Sequence, residues 1–402
     1  MSKRSRFAAF FAVLGAIIAI GVVLTVATRP GVVSAAAHPG TYAISAGQDA
    51  CGAGWGSPSH AHVPGGEQSF TVTNGTIAGI EVYLQAVTSG KVYLDLEGLG
   101  TGAHAKARVT LGSGRYRFVC LPADADAVRG PTVTVGAAPP TAQLTPGIVP
   151  VTRNDLIPAA KAYGDWVGSR IPVLRQQVAT LGDDAAEGDL AAARCDWLTA
   201  HETYETLGAA YGAFGDLDTA INGTPAPGLT ATTDPDLTGF HRVEAELWSG
   251  ASAADISASI VPLSTAVDQL GAAFSDAEID PQDIGLRAHE IVENAIQFEL
   301  TGATDAGSGT ELATIDANLT GAGQALLPLA GILTSRYDDL GATTASLAAA
   351  KTLVESFRTA DGGWLPLAQL SRSDRERLDA ALDATVELLA PVAAICDIRR
   401  EA

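Results

Sequence analysis

The chain is poor in positive charge. Its 402 residues contain 25 lysines and arginines against 45 aspartates and glutamates, which gives a formal net charge of -20. Such a chain repels the phosphates of nucleic acids unless a local basic patch intervenes, and no basic run of that kind is present. Nucleic acid is therefore not expected as a partner. The acidity favours solubility first and, as a smaller effect, a surface that gathers cations.

Charged residues of either sign are missing from one long stretch near the N-terminus. Lys3, Arg4 and Arg6 precede an uncharged apolar run from Phe7 to Ala27. This pattern is typical of an export signal whose basic residues stay in the cytoplasm. The run is long enough to span a bilayer, which predicts a retained anchor, whereas an A-x-A site predicts cleavage that removes residues 1–37. Both alternatives place the rest of the chain outside the cytoplasm.

Cysteine is scarce, with four residues in the chain, and none of them has C-x-x-C spacing. That spacing argues against a zinc ribbon. Outside the cytoplasm the four cysteines are expected to form disulfides, and three pairings are open. Because two cysteines precede a predicted linker and two follow it, we predict one bridge within each domain, Cys51 with Cys120 and Cys195 with Cys396.

Residues 38–135 have the pattern of a small β-sandwich. Alternating, β-branched segments such as "QSFTVT" and "KVYLDLEG" are separated by Asn-Gly and Ser-Gly turn signals. The segment "GRYRFVC" resembles the cupredoxin strand that carries a copper-binding cysteine, but no histidine follows Cys120 closely and the only methionine is Met1. A blue-copper centre is therefore not expected, and we interpret the domain as a binding or docking module. Three histidines have two interpretations, another metal site or scattered surface residues, and we favour the second: His60, His62 and His104.

The second half of the chain has a different character. A stretch rich in Pro, Ala and Gly, residues 136–147, lacks periodicity and predicts a linker. Residues 148–402 then follow helical periodicity, which predicts seven or eight helices packed as bundles. Helix starts are predicted at Thr152-x-x-Asp155, at Asp280-Pro281 and at Ser373-x-x-Glu376. The predicted fold class is a β-sandwich followed by an all-α domain.

Histidine is also scarce, with seven residues, yet three of them stand at helical spacing from a glutamate. Residues three or four apart share a helix face, with Cβ atoms about 5–6 Å apart, so such a pair can direct an imidazole and a carboxylate at one ion. "AHETYE" and "AHEIVE" contain H-E-x-x-E, and "GFHRVE" contains H-x-x-E. The three pairs are His201 with Glu205, His289 with Glu293, and His241 with Glu244.

The H-E-x-x-E segments are not zinc-protease motifs, because such a motif has a second histidine where Glu205 and Glu293 stand. A carboxylate there favours oxygen-loving ions such as iron(III), manganese or calcium. The competing interpretation is a solvated helix face with i, i+4 ion pairs, which three pairs among seven histidines weaken. Asp216 and Asp218 follow in a segment broken by glycines, where they either cap a turn or close a cation site.

The segments "WLTAHETYETLGAAYGAFGDLDTAING" and "GFHRVEAELW" resemble the imelysin-like domain of EfeO-type iron-uptake proteins. The family signature G-x-H-x-x-E corresponds here to Gly239, His241 and Glu244. The resemblance covers most of residues 150–340 and is weaker in the β-domain. It implies a cupredoxin-like β-sandwich followed by an imelysin-like helical domain of two bundles with a cleft between them.

The resemblance also implies a function. It points to an extracytoplasmic protein, not an enzyme, that binds ferric or ferrous iron and delivers it to a membrane iron permease. A haem-containing dye-decolorising peroxidase is the second implied partner, and zinc and copper are alternative ions. A zinc metallopeptidase of the imelysin type is the rival hypothesis, and a cleft that binds a polyanionic or sugar ligand through calcium is a third.

The signature residues His241 and Glu244 are the metal ligands that the resemblance implies. To them we add three acidic residues on neighbouring segments that can complete an oxygen-rich shell: Glu205, Asp218 and Glu293. A second tier of candidates comes from the same H-E-x-x-E segments: His201, His289 and Glu290.

Overall fold

The computed structural model describes residues 41–55, 62–123 and 125–400. The predicted signal or anchor, residues 1–37, lies outside these ranges, as does His60. Within them, no helix combines the length and the apolar character needed to cross a membrane. A β region comes first and a helical region follows, which confirms the predicted fold class.

The β region is a sandwich of two mixed sheets. Its strands are β1 Thr41–Ala46, β2 Cys51–Ala53, β3 His62–Val63, β4 Gly66–Asn74, β5 Ile80–Ala86, β6 Val92–Leu99, β7 His104–Leu111, β8 Gly114–Pro122, β9 Val128–Arg129 and β10 Val133–Val135. One sheet has the order β2-β1-β4-β7, and the other has the order β3-β10-β8-β5-β6 with β9 paired to β8. Strands β1 and β4 run parallel.

Strand alternation places the core of the sandwich between the two sheets. Along β4, every second residue from Gly66 to Asn74 is buried, as expected for a strand with one face on a core. Trp55, Phe70 and Phe118 make edge-to-face contacts, with ring centroids 5.1 to 5.6 Å apart. The predicted disulfide between Cys51 and Cys120 is formed and connects β2 of one sheet to β8 of the other.

The helical region contains long helices joined by short helical turns. The helices are α1 Arg153–Glu187, α2 Leu190–Glu205, α3 Tyr211–Phe214, α4 Asp216–Asn222, α5 Phe240–Ser249, α6 Ala253–Ala273, α7 Asp283–Asn294, α8 Glu311–Leu326, α9 Ala330–Leu333, α10 Leu340–Glu355 and α11 Arg372–Cys396. A π-helical turn, Ala295–Glu299, follows α7 directly. Within the described ranges eight helices have ten or more residues, against the predicted seven or eight.

Side chains at the N-caps set where these helices begin. Thr152 and Asp155 form the predicted capping box of α1. The last helix begins earlier than predicted, at Arg372, because the Ser371 hydroxyl accepts a hydrogen bond from Asp374 N at 3.1 Å. Helix α7 begins later than predicted, since Asp280 accepts a hydrogen bond from Gln282 N in the preceding turn at 3.2 Å.

The helices form two groups with a shared core. In the first group α1 packs against α2 and α6, and in the second α7 packs against α8 and α11, with α10 against α8 and α11. Contacts between α2 and α8 join the two groups. Residues from both groups can therefore line one cavity.

The residues after α11 connect the helical region to the sandwich. Arg399 forms ion pairs with Asp95 at 2.8 Å and with Glu97 at 3.3 Å. Arg400 Nη1 donates a hydrogen bond to the carbonyl of Leu121 at 2.6 Å. Between the two regions, residues 136–147 contain neither helix nor strand. The described residues from Thr41 to Arg400 consequently belong to one compact unit.

The predicted disulfide between Cys195 and Cys396 is wrong, because both cysteines are free. Cys195 lies on the exposed face of α2, since Ala193 and Trp197 occupy the face that packs on the core. Cys396 is buried at the end of α11, where the missing side chain of Gly285 leaves room for it. A disulfide needs facing Cβ atoms, and a count of cysteines per domain does not reveal which helix faces carry them.

Candidate functional site

A cavity of about 200 Å³ lies in the helical region. Helices α2, α5, α7 and α8 and the loops beside them contribute its walls. The polar lining consists mainly of imidazoles, carboxylates and amides: His201, Glu205, Asn222, His241, Glu244, Glu290, Asn294, Glu299, Asp305, Glu311 and Asn318. Three of the predicted ligands, Glu205, His241 and Glu244, are therefore brought together, and His201 joins them.

The first pair of cavity residues is at the C-terminal end of α2. This helix begins after Asp189, whose carboxylate accepts a hydrogen bond from Ala192 N at 3.0 Å. Its buried face places His201 and Glu205 one turn apart, with 4% and 9% of their side chains exposed. His201 Nε2 lies 3.2 Å from Glu205 Oε1. This i, i+4 pair is formed inside the protein and not on a solvated face.

Neighbouring side chains hold the Glu205 carboxylate. Asn222 Nδ2 donates to Oε1 at 2.7 Å, and the Tyr211 hydroxyl donates to Oε2 at 3.5 Å. With its amide oriented so that nitrogen faces Glu205, Asn318 donates to Oε2 at 3.0 Å. Burial raises the pKa of Glu205, but His201 and Asn222 outweigh burial and bring the pKa below its ordinary value. Glu205 is therefore an anion in the interior.

His201 has no hydrogen-bond partner of good geometry at either ring nitrogen, although both nitrogens are buried. The Trp197 indole stacks on the imidazole, with ring centroids 4.8 Å apart. Burial lowers the pKa of His201, but Glu205, Glu244 and Asn222 together outweigh burial, so the net pKa is above its ordinary value. Buried polar atoms in proteins almost always have partners. Apart from its contact with Glu205, the imidazole therefore makes no hydrogen bond and is available to a ligand.

The second pair is in the first turns of α5. Gly239 precedes this helix with φ 84°, and a Cβ there would lie 2.2 Å from the Ile221 carbonyl oxygen. Glycine is thus the residue that the backbone requires at the first position of G-x-H-x-x-E. His241 and Glu244 are 5% and 2% exposed. His241 Nδ1 lies 3.3 Å from Glu244 Oε2.

The other oxygen of Glu244 binds a loop that is distant in sequence. Oε1 accepts hydrogen bonds from Ala306 N at 3.0 Å, Ser308 N at 3.0 Å and Ser308 Oγ at 2.6 Å. Burial raises the pKa of Glu244, but His241 and Ser308 outweigh burial and lower the pKa below its ordinary value. Glu244 is therefore a second buried anion.

The two histidine–glutamate pairs face each other across the cavity. The ring centroids of His201 and His241 are 5.7 Å apart. In the part of the chain that the structure describes, no three residues of this cavity each bring a carboxylate oxygen or imidazole nitrogen within 4.8 Å of the others. The pairs are therefore close but separate, and one ion held by both would draw their side chains together.

Two further cavity carboxylates, Glu299 and Glu311, carry no sequence signal, because neither stands at helical spacing from a histidine. Glu299 ends the π-helical turn, a type of turn that is frequent at functional sites. Burial and the charge of Glu205 raise its pKa to about 7. Burial also raises the pKa of Glu311, whose Oε2 is buried without a hydrogen-bond partner. Both residues add oxygen donors to the cavity.

Two of the predicted ligands lie outside the cavity lining. Glu293 is 44% exposed, and its Oε2 lies 3.8 Å from Nδ1 of His289, which does not line the cavity either. Asp218 accepts a hydrogen bond from the Tyr204 hydroxyl at 2.6 Å. Asp218 thus fixes an aromatic side chain behind the site, and the structure brings neither carboxylate into the cavity.

The β region contains a different acidic cluster. Glu81, Asp95 and Glu97 bring carboxylate oxygens within 4.8 Å of one another. Burial, followed by the charge of Glu81, raises the pKa of Asp95 to about 7. Arg399 contacts both Asp95 and Glu97, so a protein cation already compensates this cluster. Two of the three histidines noted in this region, His62 and His104, are exposed and belong to different sheets.

Comparisons with known proteins place the cavity in a family context. A peptidase family model described as Imelysin matches residues 159–392. Iron uptake system component EfeO of Yersinia pestis is 25% identical over 333 residues, which cover 82% of this chain and 85% of that protein. The protein of the same name from Escherichia coli is 24% identical over 329 residues, with the same coverage of 82% and 85%. Among solved structures, a proposed iron-regulated protein A precursor from Parabacteroides distasonis matches 61% of this chain and 96% of its own, at 10% identity and a TM-score of 0.46.

Proposed function

The chain belongs to the imelysin family, and on that premise we propose that it is an extracytoplasmic iron-binding component of an iron-uptake system. One observation carries the proposal: two buried histidine–glutamate pairs face each other in one cavity. Iron is the cargo, which the cavity binds and a membrane iron permease receives.

Charge in the cavity favours a cation. Glu205 and Glu244 have lowered pKa values and are anions in the interior, where contacts with histidines and hydrogen bonds stabilise them. Arg287, the basic side chain in the lining, is paired with Glu290 at 2.7 Å. A bound cation compensates the two carboxylates and takes the place of their contacts with histidine.

The donor types favour iron. Carboxylates outnumber imidazoles among the lining residues, and hard oxygen donors move preference towards iron and away from zinc and copper, which are the alternative ions. Two imidazoles that bind one ion through nitrogens at about 2.1 Å have ring centroids no more than roughly 6.5 Å apart. The 5.7 Å separation of His201 and His241 lies within that limit.

The relatives support the biological role. The EfeO proteins of Yersinia pestis and Escherichia coli are iron uptake system components. By the same resemblance we propose a membrane iron permease as the recipient and a haem-containing dye-decolorising peroxidase as a second partner. Residues 1–37 serve in this proposal as an export signal or anchor, and the β-sandwich serves as a docking module.

We assign no enzymatic activity to the chain. A zinc metallopeptidase is the alternative, and the sequence contains no H-E-x-x-H motif to support it. The ion that copurifies with protein expressed without added metal separates the two functions. Zinc retention together with chelator-sensitive proteolysis would favour the peptidase.

The direct test removes the second pair. We expect the H241A/E244A double variant to lose high-affinity binding of ferric iron supplied as its citrate complex, because it removes both signature ligands. Circular dichroism should show unchanged helix content. An H289A/E293A double variant is the matched control, since this histidine–glutamate pair does not line the cavity. Unchanged iron affinity in the double variant would contradict the proposal.

A further inference from the structure

We propose that Ser308 is a positioning residue for iron binding, which holds one oxygen of Glu244 so that the other faces the cavity. The inference rests on the proposed function, because it concerns the same site. No motif indicates Ser308, which lies 64 residues from Glu244 along the chain.

The two carboxylate oxygens of Glu244 have different partners. Oε1 accepts three donors from residues 306–308, and the Ser308 hydroxyl is the nearest of them at 2.6 Å. Three donors occupy the acceptor positions of one carboxylate oxygen. Oε2 lies 3.3 Å from His241 Nδ1. Glu244 therefore offers the cavity a single oxygen and binds a cation as a monodentate ligand.

The loop keeps the Ser308 hydroxyl in place. Its Oγ lies 2.8 Å from Thr310 Oγ1 and 3.3 Å from Asp305 Oδ1, and Asp305 in turn accepts a hydrogen bond from Gly309 N at 2.8 Å. Gly307 has φ 132°, a conformation that other residues rarely adopt. That conformation lets the N–H groups of Ala306 and Ser308 converge on one carboxylate. The hydroxyl is thus oriented before any ligand arrives.

Orientation of Glu244 affects affinity through entropy and geometry. A carboxylate held in its binding orientation loses less rotational freedom on binding than a free one. Residues that orient the ligands of a metal typically contribute about 10–100-fold to affinity. We therefore expect the Ser308 hydroxyl to contribute within that range, although it does not touch the ion.

The test compares three variants of the full chain. S308A should bind ferric citrate iron about 10–100-fold more weakly and should change the electron paramagnetic resonance spectrum of the bound Fe(III). S308T keeps the hydroxyl and should restore both the affinity and the spectrum. T301A is the control, because the Thr301 hydroxyl donates to the Gln297 and Phe298 carbonyls and Thr301 does not line the cavity. A merely structural loss would lower the melting temperature without a change in the spectrum.

Two outcomes overturn the inference in different ways. If S308A keeps the affinity and spectrum of the unmodified chain while H241A/E244A loses binding, the iron site stands and the role of Ser308 is refuted. If H241A/E244A also keeps full affinity, both the proposed function and the inference about Ser308 are refuted.

Discussion

The two H-E-x-x-E segments share a sequence pattern and differ in their surroundings. The side chains of His201 and Glu205 are 4% and 9% exposed, and Nε2 of the histidine lies 3.2 Å from Oε1 of the glutamate. In His289 and Glu293 the exposures are 18% and 44%, and the distance is 3.8 Å. In each pair, the histidine and the glutamate lie one turn apart on the same helix. Spacing therefore decides which residues share a face, whereas packing decides what that face meets.

The phase of α7 explains why its pair misses the cavity. Glu290 and Asn294 line the cavity from this helix, whereas His289 and Glu293 do not. Each residue along an α-helix is rotated by about 100° from the one before it. A shift of one residue thus turns the predicted pair away from the site and brings in a neighbouring i, i+4 pair. The first copy of the motif therefore places its histidine and its second glutamate in the cavity lining, whereas the second copy places only Glu290 there.

The largest expected difference in iron affinity is between a variant of Glu205 and the same variant of Glu293. We expect E205Q to weaken the binding of ferric citrate iron by on the order of 100-fold, because it removes a buried anion from the site. The matched E293Q variant should bind within about twofold of the unmodified chain, since Glu293 is exposed. Isothermal titration of both variants measures this. Equal losses would show that the second motif contributes after all.

Substitutions of His201 and His289 should differ in their effect on iron affinity in the same direction, but less strongly. We expect H201Q to reduce iron affinity by about 10-fold or more and H289Q to have little effect. With Cu(II) as a spectroscopic probe, nitrogen hyperfine coupling from a second imidazole should disappear in H201Q. Its persistence in H201Q, or its loss in H289Q, would place the histidine ligand on the other helix.

The raised pKa of Glu299 lets us predict how the stability of the iron-free protein depends on pH. Its pKa is raised from an ordinary 4.5 to about 7, so between these values the folded state holds a proton that the unfolded state has released. The free energy of unfolding therefore falls as pH rises through that range. E299Q should remove this loss and stabilise the iron-free chain by roughly 1–3 kcal/mol near neutral pH.

Thermal melts of iron-free protein at several pH values measure the effect of E299Q. E293Q serves as the control from the exposed segment. If E299Q and the unmodified chain show parallel melting temperatures across the range, Glu299 does not titrate there.

The smallest effect is expected at the free cysteines. C195S should leave the melting temperature unchanged, because Cys195 is exposed and makes no disulfide. In the folded chain a thiol reagent should label Cys195 and spare Cys396, whose burial also raises its pKa to about 11. Mass spectrometry after labelling checks both points. A disulfide between the two residues in the purified protein would contradict the structure.

Much of the architecture was predictable from local patterns. Alternation along β4 and the capping box at Thr152 are readable because each depends on residues a few positions apart. The starts of α7 and α11 were misplaced because several Ser, Asp and Pro residues compete for the cap, and geometry selects one. The disulfide between Cys51 and Cys120 followed from the domain order, but the same rule failed for Cys195, because the rule ignores the helix face that carries a thiol.

In the candidate site, too, some features follow from the local sequence and others depend on the tertiary structure. The pairing of His201 with Glu205 and of His241 with Glu244, and the need for Gly239, follow from helical spacing and backbone conformation, which act within single segments. Tertiary structure alone brought these pairs to one cavity, added carboxylates such as Glu299 and Glu311, and turned Glu293 away. The physical reason is that helix packing sets the relative rotation of distant segments, and a rotation of about 100° per residue separates a side chain in the cavity from a solvated one.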